Sequence, residues 1–216
     1  MLSLSNTLPP HQGHKILYRG VDLSQANGAM ILIHGRGSNA EDMAQLSDYL
    51  TLKNLAVIIP EATNNTWYPQ RFIEERETNE PYLSSALALI ASIEKALNQA
   101  GIPSNKLLLG GFSQGACLVS DYAANHQGRL AGVFGFSGGL IGKTLNPDLY
   151  SGSLDQTPVF LGGSNVDFHI PEHRVHESDQ MLTARGAMVD TRIYPGMGHT
   201  INQDELDALQ KAVDQF

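Results

Sequence analysis

Ser113 lies in the stretch whose residue types and spacing most clearly suggest catalysis, Gly111-Phe112-Ser113-Gln114-Gly115. The apolar run 107–109 before it predicts a buried strand, and the residues from Gln114 onward favour a helix. A serine at the apex of a tight strand-to-helix turn presents its hydroxyl as a nucleophile, and the flanking glycines leave room where the backbone crowds. On spacing alone, an ordinary turn remains an alternative. A dinucleotide fingerprint and a nucleotide phosphate loop are excluded, because Phe112 and Ala116 stand where glycine and lysine are required.

A base and an acid for this serine are predicted at the ends of two later strands. Asp167 follows the predicted strand 158–161 and His199 follows the predicted strand 188–194, so the chain order is Ser, Asp, His with intervals of 54 and 32 residues. This is the order expected of α/β-hydrolases. An imidazole accepts the serine proton and later protonates the leaving group, while a carboxylate orients the imidazole. A surface histidine and a solvent-facing aspartate are the alternative interpretations. The rival aspartates follow no strand: Asp148, Asp155 and Asp190.

An oxyanion hole requires two backbone N–H groups near Ser113. Gln114, directly after the serine, is expected to supply one of them. The loop after the predicted strand 30–33 is expected to supply the other from Arg36, with Gly35 as the alternative donor. His34, at the start of this loop, is interpreted as a structural residue that forms local hydrogen bonds and shapes the turn.

The segments that must position these residues alternate between strands and helices. This alternation predicts a mostly parallel central sheet of about seven strands with helices on both faces, which is the α/β class and the α/β-hydrolase fold. We expect one domain, residues 1–216. Two irregular segments, 61–80 and 137–156, are long for simple connections and are expected to wall the active site. Reactive groups collect beyond the carboxyl ends of parallel strands, where the three predicted side chains must converge.

Composition limits the classes of partner and compartment. A net charge of −8 and a pI of about 5.4 argue against nucleic acid or an anionic membrane surface as the main partner. The single cysteine, Cys117, precludes an internal disulfide and favours a reducing compartment. No apolar run is long enough to span a bilayer, so we expect a cytoplasmic protein. A solvated helix face is the preferred interpretation of three nearby histidines, so neither a metal nor a cofactor is predicted: His169, His173 and His176.

Five motifs, taken in order, resemble the phospholipase/carboxylesterase family of α/β-hydrolases, relatives of the acyl-protein thioesterases. They are IHGRG, TWYP, GGFSQGA, GGSNVDFHIP and PGMGH, between Ala29 and the C-terminus. The resemblance implies a catalytic triad and an oxyanion hole made of the residues named above: Ser113, Asp167 and His199, with the N–H groups of Arg36 and Gln114. It also implies that Trp67 lines the substrate site; plain packing beneath a loop is the alternative interpretation of this residue. We expect Tyr68 and Gly35 to contact the substrate as well.

The chain departs from the acyl-protein thioesterases close to this site. Those enzymes usually carry leucine at the position of Arg36, an acidic residue at that of Pro69 and proline at that of Phe168. Arg36 prompts a narrower hypothesis, in which its guanidinium favours substrates with a carboxylate near the scissile bond. A solvated or structural arginine is the alternative.

The leading functional prediction is a serine carboxylesterase that hydrolyses small to medium acyl esters through an acyl-serine intermediate. The alternatives on the same triad are an acyl-protein thioesterase or lysophospholipase-like hydrolase, and an acyltransferase. A non-catalytic binding protein is disfavoured, because binding requires neither the three side chains nor the flanking glycines. The expected partner is a small-molecule ester; the sequence specifies neither the physiological ester nor the oligomeric state.

Overall fold

The computed structural model describes residues 2–13 and 15–216. Within them the chain forms seven strands and five α-helices: β1 Ile16–Gly20, β2 Gly28–Ile33, α1 Ala40–Asp48, β3 Leu55–Pro60, α2 Tyr82–Gln99, β4 Leu107–Phe112, α3 Gln114–Ala124, β5 Gly132–Phe136, β6 Pro158–Ser164, α4 Glu172–Ala184, β7 Met188–Tyr194 and α5 Gln203–Val213. The expected domain of 1–216 also includes Met1 and His14, which lie outside the described residues.

The strands of the described chain form one seven-stranded sheet in the order β1-β3-β2-β4-β5-β6-β7. β1 is antiparallel to β3, and the other pairings are parallel. The predicted α/β fold with a mostly parallel sheet of about seven strands is confirmed. Because β4, β6 and β7 run in the same direction, their last residues lie along one edge of the sheet: Phe112, Ser164 and Tyr194.

Alternate side chains of the central strands fill two cores on opposite faces of the sheet. In β2, Ile31 and Ile33 pack with residues of α2, α3 and α4, whereas Met30 and Leu32 pack with residues of α1 and α5. Successive side chains of a strand point to opposite faces, so a strand covered on both sides must be apolar throughout. The continuous apolar runs in the sequence have this origin, and the predicted helices on both faces are confirmed.

The ends of two helices show how the sequence terminates them. Asn202 caps the start of α5 in a reciprocal pair of hydrogen bonds with Glu205. The helix α1 ends at Asp48, and Tyr49 occupies its C-cap position, where the residue is 74% exposed. No helix among residues 2–13 and 15–216 has the length and apolarity needed to cross a membrane.

Candidate active site

The turn between β4 and α3 holds Ser113 in a strained backbone conformation. Its φ and ψ are 56° and −117°, a region that non-glycine residues rarely occupy. A Cβ on Gly111 would lie 2.4 Å from the carbonyl carbon and oxygen of Gly115, and a Cβ on Gly115 would lie 2.1 Å from the carbonyl oxygen of Ile33. Only glycine fits at these two positions, so the turn can present Ser113 beyond the end of β4.

Ser113, His199 and Asp167 form a continuous hydrogen-bonded chain at this edge. The Nε2 atom of His199 lies 2.8 Å from the Oγ atom of Ser113, and its Nδ1 atom lies 2.6 Å from Oδ2 of Asp167. The other carboxylate oxygen accepts the N–H groups of His169 and Ile170 at 2.8 and 3.1 Å. With Nδ1–H donated to the buried carboxylate, Nε2 is free to accept a proton from the serine.

Two polar residues at the end of β6 hold the loop that carries His199. Ser164 Oγ accepts the N–H of Gly198 at 3.2 Å, and Asn165 Oδ1 accepts the N–H of Gly196 at 2.9 Å. These two contacts restrict the loop, so the imidazole does not depend on its own hydrogen bonds alone for its position. Sequence reasoning missed both residues. The available signal was a pair of hydrogen-bonding side chains at the end of a buried strand.

The loop after β2 lies against the serine turn. A Cβ on Gly35 would lie 3.3 Å from the Cβ of Ser113 and 3.4 Å from the carbonyl oxygen of Phe112. Gln114 is the first residue of α3, and the first N–H groups of a helix have no acceptor within that helix. The two N–H groups predicted to form an oxyanion hole, those of Arg36 and Gln114, therefore belong to segments that meet at Ser113.

His34 is a structural residue of this loop, which confirms its interpretation. Its Nε2 atom accepts the N–H of Ala62 at 3.0 Å, so Nδ1 carries the proton and donates it to the carbonyl oxygen of Gly35 at 2.8 Å. Burial lowers the pKa of His34, which keeps the ring neutral. A neutral ring with both nitrogens engaged fixes the backbone at the start of the loop.

Trp67 does not line the substrate cavity, contrary to the expectation from the resemblance. Its side chain is fully buried, and the indole N–H donates to the carbonyl oxygen of His34 at 2.9 Å. Its ring contacts the imidazoles of His34 and His11, with centroids 5.0 and 5.2 Å away. The indole finds both its hydrogen-bond acceptor and its packing partners beneath the loop after β2. Trp67 therefore supports that loop from behind.

The side chain of Gln114 was also missed by sequence reasoning, which assigned a role only to its N–H. Its Oε1 atom accepts the backbone N–H of Trp67 at 2.8 Å, and its Nε2 atom donates to the carbonyl oxygen of Tyr68 at 2.8 Å. Both groups of the amide are thus satisfied in a buried position. Gln114 ties residues 67–72, the aromatic segment, to the serine turn across 47 residues of sequence.

A cavity of about 620 Å³ opens beside Ser113. Tyr68 and Gly35 line it, together with apolar contributions from Phe72 and Ile170. Cys117 also reaches the cavity; burial raises the pKa of its thiol to about 12, so the thiol remains protonated at neutral pH. The cavity is also lined by Arg36, Ser38, Pro69, Gln70, Arg71, Phe112, Ser113, Gln114, His169 and His199.

Only one of the two long segments contributes to this cavity. Residues 68–72 of the 61–80 segment line it, whereas within the described chain no residue of 137–156 does. The cavity lining does not meet the expectation for 137–156, and the buried Arg174 of α4 binds part of that segment. Its guanidinium donates to the carbonyl oxygens of Leu140, Gly142 and Lys143 at 3.1, 2.6 and 2.9 Å. These contacts hold residues 140–143 against α4, whereas the start of the segment follows Phe136, whose carbonyl oxygen accepts the N–H of Ser113 at 2.9 Å.

Comparisons with known proteins agree over most of the chain. The family model described as Phospholipase/Carboxylesterase matches residues 22–216. Acyl-protein thioesterase 1 of Schizosaccharomyces pombe is 30% identical over 199 residues, which are 84% of this chain and 88% of that protein. Lysophospholipase-like protein 1 of Mus musculus is 23% identical over 203 residues, 85% of this chain and 84% of that one. A solved phospholipase/carboxylesterase from Dyadobacter fermentans has a TM-score of 0.90 and 39% identity, covering 96% of this chain and 99% of its own.

Proposed function

This chain belongs to the phospholipase/carboxylesterase family of ester hydrolases, and we propose that within it the protein is a serine carboxylesterase acting on small to medium acyl esters. The observation that carries the proposal is the hydrogen-bonded chain from Ser113 through His199 to Asp167. A nucleophile, a base and an orienting carboxylate in direct contact are the parts that acyl transfer through serine requires.

In the first half-reaction, His199 Nε2 removes the proton of Ser113 as its Oγ attacks the carbonyl carbon of the ester. The carbonyl oxygen becomes an oxyanion, which the N–H groups of Gln114 and Arg36 stabilise. When this intermediate collapses, the bond between carbon and the alcohol oxygen breaks, and His199 gives its proton to the departing oxygen. Asp167 stays ionised throughout and stabilises the imidazolium.

In the second half-reaction, water replaces the alcohol. His199 removes a proton from the water as the water oxygen attacks the carbonyl carbon of the acyl-serine. The second oxyanion collapses, the bond to Ser113 Oγ breaks, and His199 returns the proton to that oxygen. The products are a carboxylic acid and the free enzyme.

The cavity supports the size class of the substrate. Its volume of about 620 Å³ lies within the range of sites that bury small organic ligands. Phe72 and Ile170 offer apolar surface for an acyl chain of moderate length. We therefore expect the specificity constant to rise from acetyl toward medium-chain esters and then to fall as the chain outgrows the cavity.

A chain-length panel of p-nitrophenyl esters, from acetate to palmitate, tests this proposal with wild-type protein and Ser113→Ala. We expect kcat to fall by about 10⁴-fold or more in the variant, because the covalent intermediate cannot form. Ser151→Ala, on an exposed loop, is the matched control and should behave as wild type. Mass spectrometry after treatment with a fluorophosphonate should find the adduct on Ser113. A folded Ser113→Ala protein with near wild-type turnover would end the proposal.

A thioesterase is the second candidate, because the similar proteins of Schizosaccharomyces pombe and other fungi are named acyl-protein thioesterases. The same triad can attack either bond. Oxygen and sulfur esters of one acyl group, such as ethyl octanoate and S-ethyl thiooctanoate, should be compared by kcat/KM. A carboxylesterase should keep substantial turnover of the oxygen ester; turnover confined to the thioester would favour the second candidate.

A further inference from the structure

The cavity beside Ser113 is cationic in an acidic protein. The chain has 22 acidic and 14 basic side chains, Lys and Arg, for a net charge of −8. Within the described residues, however, the cavity lining includes Arg36 and Arg71 and neither aspartate nor glutamate. Asp167 stands behind His199, where its carboxylate is buried and fully hydrogen bonded. An anionic ligand in this cavity would meet positive charge without facing an exposed carboxylate on the wall.

The two arginines are bound differently. The guanidinium of Arg36 donates to the carbonyl oxygens of Pro69 and Gln70, at 2.7 and 2.5 Å, and lies 5.9 Å from the ring centre of Tyr68. These contacts fix the 69–70 backbone against the loop after β2. Arg36 is thus committed to positioning the cavity wall, which favours the structural interpretation of its side chain over the carboxylate-binding hypothesis drawn from the sequence.

Arg71 differs from Arg36, because its backbone is held by hydrogen bonds while its side chain is unpaired among the described residues. Its carbonyl oxygen accepts the N–H of Glu74 at 3.2 Å and an amide hydrogen of Asn79 at 3.3 Å. Its guanidinium forms no ion pair or hydrogen bond with any side chain or backbone group in 2–13 or 15–216, and the residue is exposed. Two charges of the same segment are paired, since Glu75 contacts Lys143 at 3.1 Å and Arg76 contacts Asp121 at 2.7 Å. The exposed Glu74 and Glu77 form no ion pair with any described residue.

We propose that Arg71 recognises a carboxylate on the ester substrate, so that the enzyme prefers carboxylate-bearing esters to neutral ones. A guanidinium binds a carboxylate through two parallel N–H donors, which adds direction to the attraction. The substrate class is half-esters of dicarboxylic acids or acyl esters of hydroxy acids. This inference rests on the proposed function, because it requires the scissile carbonyl at Ser113.

Two matched substrate pairs test the inference in a pH-stat assay with full-length protein. Monoethyl glutarate and ethyl 4-carbamoylbutanoate differ by a carboxylate on the acyl side, and the butyryl esters of glycolate and glycolamide differ by one on the alcohol side. In each pair, the carboxamide has the shape of the carboxylate without its charge. The measured quantity is the ratio of kcat/KM within a pair. We expect wild-type protein to favour the carboxylate in at least one pair, and that pair identifies the side on which Arg71 acts.

Arg71→Gln should lower that ratio by about tenfold, the effect of losing one hydrogen-bonded charge partner near the surface. Arg71→Lys should retain part of the preference, because the charge remains while the two parallel donors are lost. Raising the salt concentration from 50 to 500 mM should weaken the wild-type preference. Arg19→Gln, on the edge strand β1, changes the net charge equally and should leave the ratio unchanged.

The outcomes separate this inference from the function on which it rests. Equal kcat/KM values within both pairs, or a preference that Arg71→Gln leaves intact, would overturn the role of Arg71 while Ser113-dependent hydrolysis stands. Wild-type protein that is inactive on every member of both pairs and on the nitrophenyl panel would overturn the proposed function and this inference together.

Discussion

Glu205 is predicted to make the stability of this protein depend on pH in the physiological range. Its side chain is fully buried on α5, where Oε2 accepts the N–H of Asn202 at 2.9 Å. Its Oε1 atom has no hydrogen-bond partner in the described chain and lies against Gly162, so closely that a Cβ there would be 1.8 Å away. Burial raises the pKa of this carboxyl from 4.5 to about 7, opposed by the Asn202 hydrogen bond.

The direction in which stability changes with pH follows from proton binding to the folded and unfolded states. The folded state holds the proton of Glu205 more tightly than the unfolded chain, so its contribution to stability is fully present below pH 4.5 and is lost as pH rises through about 7. Moving a carboxyl pKa from 4.5 to about 7 corresponds to about 3 kcal/mol when the group is fully ionised. Glu205→Gln keeps an oxygen to accept the Asn202 N–H and cannot ionise, so the variant should lose this part of the pH dependence.

Urea unfolding at pH values from 5 to 9 measures the effect, with fluorescence of Trp67, the single tryptophan, as the signal. We expect the free energy of unfolding of wild type, relative to Glu205→Gln, to fall by up to about 3 kcal/mol across this range. The difference between the two proteins removes the contributions of other titrating groups. Asp207→Asn, an exposed carboxylate on the same helix, is the control. Parallel curves for wild type and Glu205→Gln would refute the reasoning.

Three further substitutions on α3 test its contacts with neighbouring segments. Gly115→Ala should lower the free energy of unfolding by about 3 kcal/mol and abolish most activity, because the new Cβ would meet the carbonyl oxygen of Ile33 at 2.1 Å. Urea unfolding and kcat measurements check this, and a fully active, stable variant would contradict it. Gln114→Leu should cost about 2 kcal/mol of stability and reduce kcat/KM, because two buried backbone groups of the aromatic segment lose their partners. An unchanged kcat/KM would show that the side-chain amide of Gln114 does not position the cavity wall. Asp121→Ala should cost about 3 to 5 kcal/mol, because it leaves the guanidinium of Arg76 without its partner at 2.7 Å. The exposed pair of Glu75 with Lys143 is the matched control, since Glu75→Ala should cost no more than about 1 kcal/mol of stability. Equal losses of stability in Asp121→Ala and Glu75→Ala would disprove the distinction between buried and exposed pairs.

Local patterns in the sequence were sufficient for the elements and for the serine turn. An apolar run such as Met30 to Ile33 must be covered on both faces, and the spacing of glycines around Ser113 follows from the crowding of backbone atoms within five residues. The positions of Asp167 and His199 after strands predicted that they meet Ser113, because parallel strands end at one edge of a sheet. Their hydrogen bonds now support the proposed roles, which the substitutions above test.

The surroundings of the site depended on contacts that no local pattern specifies. Trp67 resembles a substrate-lining residue in sequence, yet its indole turns beneath the loop after β2 because the carbonyl oxygen of His34 accepts its N–H there. Residues 140–143 of the 137–156 segment lie against α4, where Arg174, distant in the sequence, binds their carbonyl oxygens.

The sequence by itself determined the order of strands and helices, the serine turn and the identity of three side chains able to work together. Tertiary structure alone decided which neighbours surround them. It binds Arg36 to the cavity wall, and among the described residues it leaves the guanidinium of Arg71 and one carboxylate oxygen of Glu205 without a partner. The physical reason is the distance along the chain between the residues that interact. Turn geometry and strand burial are set by residues close in the chain, whereas hydrogen-bond acceptors and charge partners are supplied by segments that only the completed fold brings together.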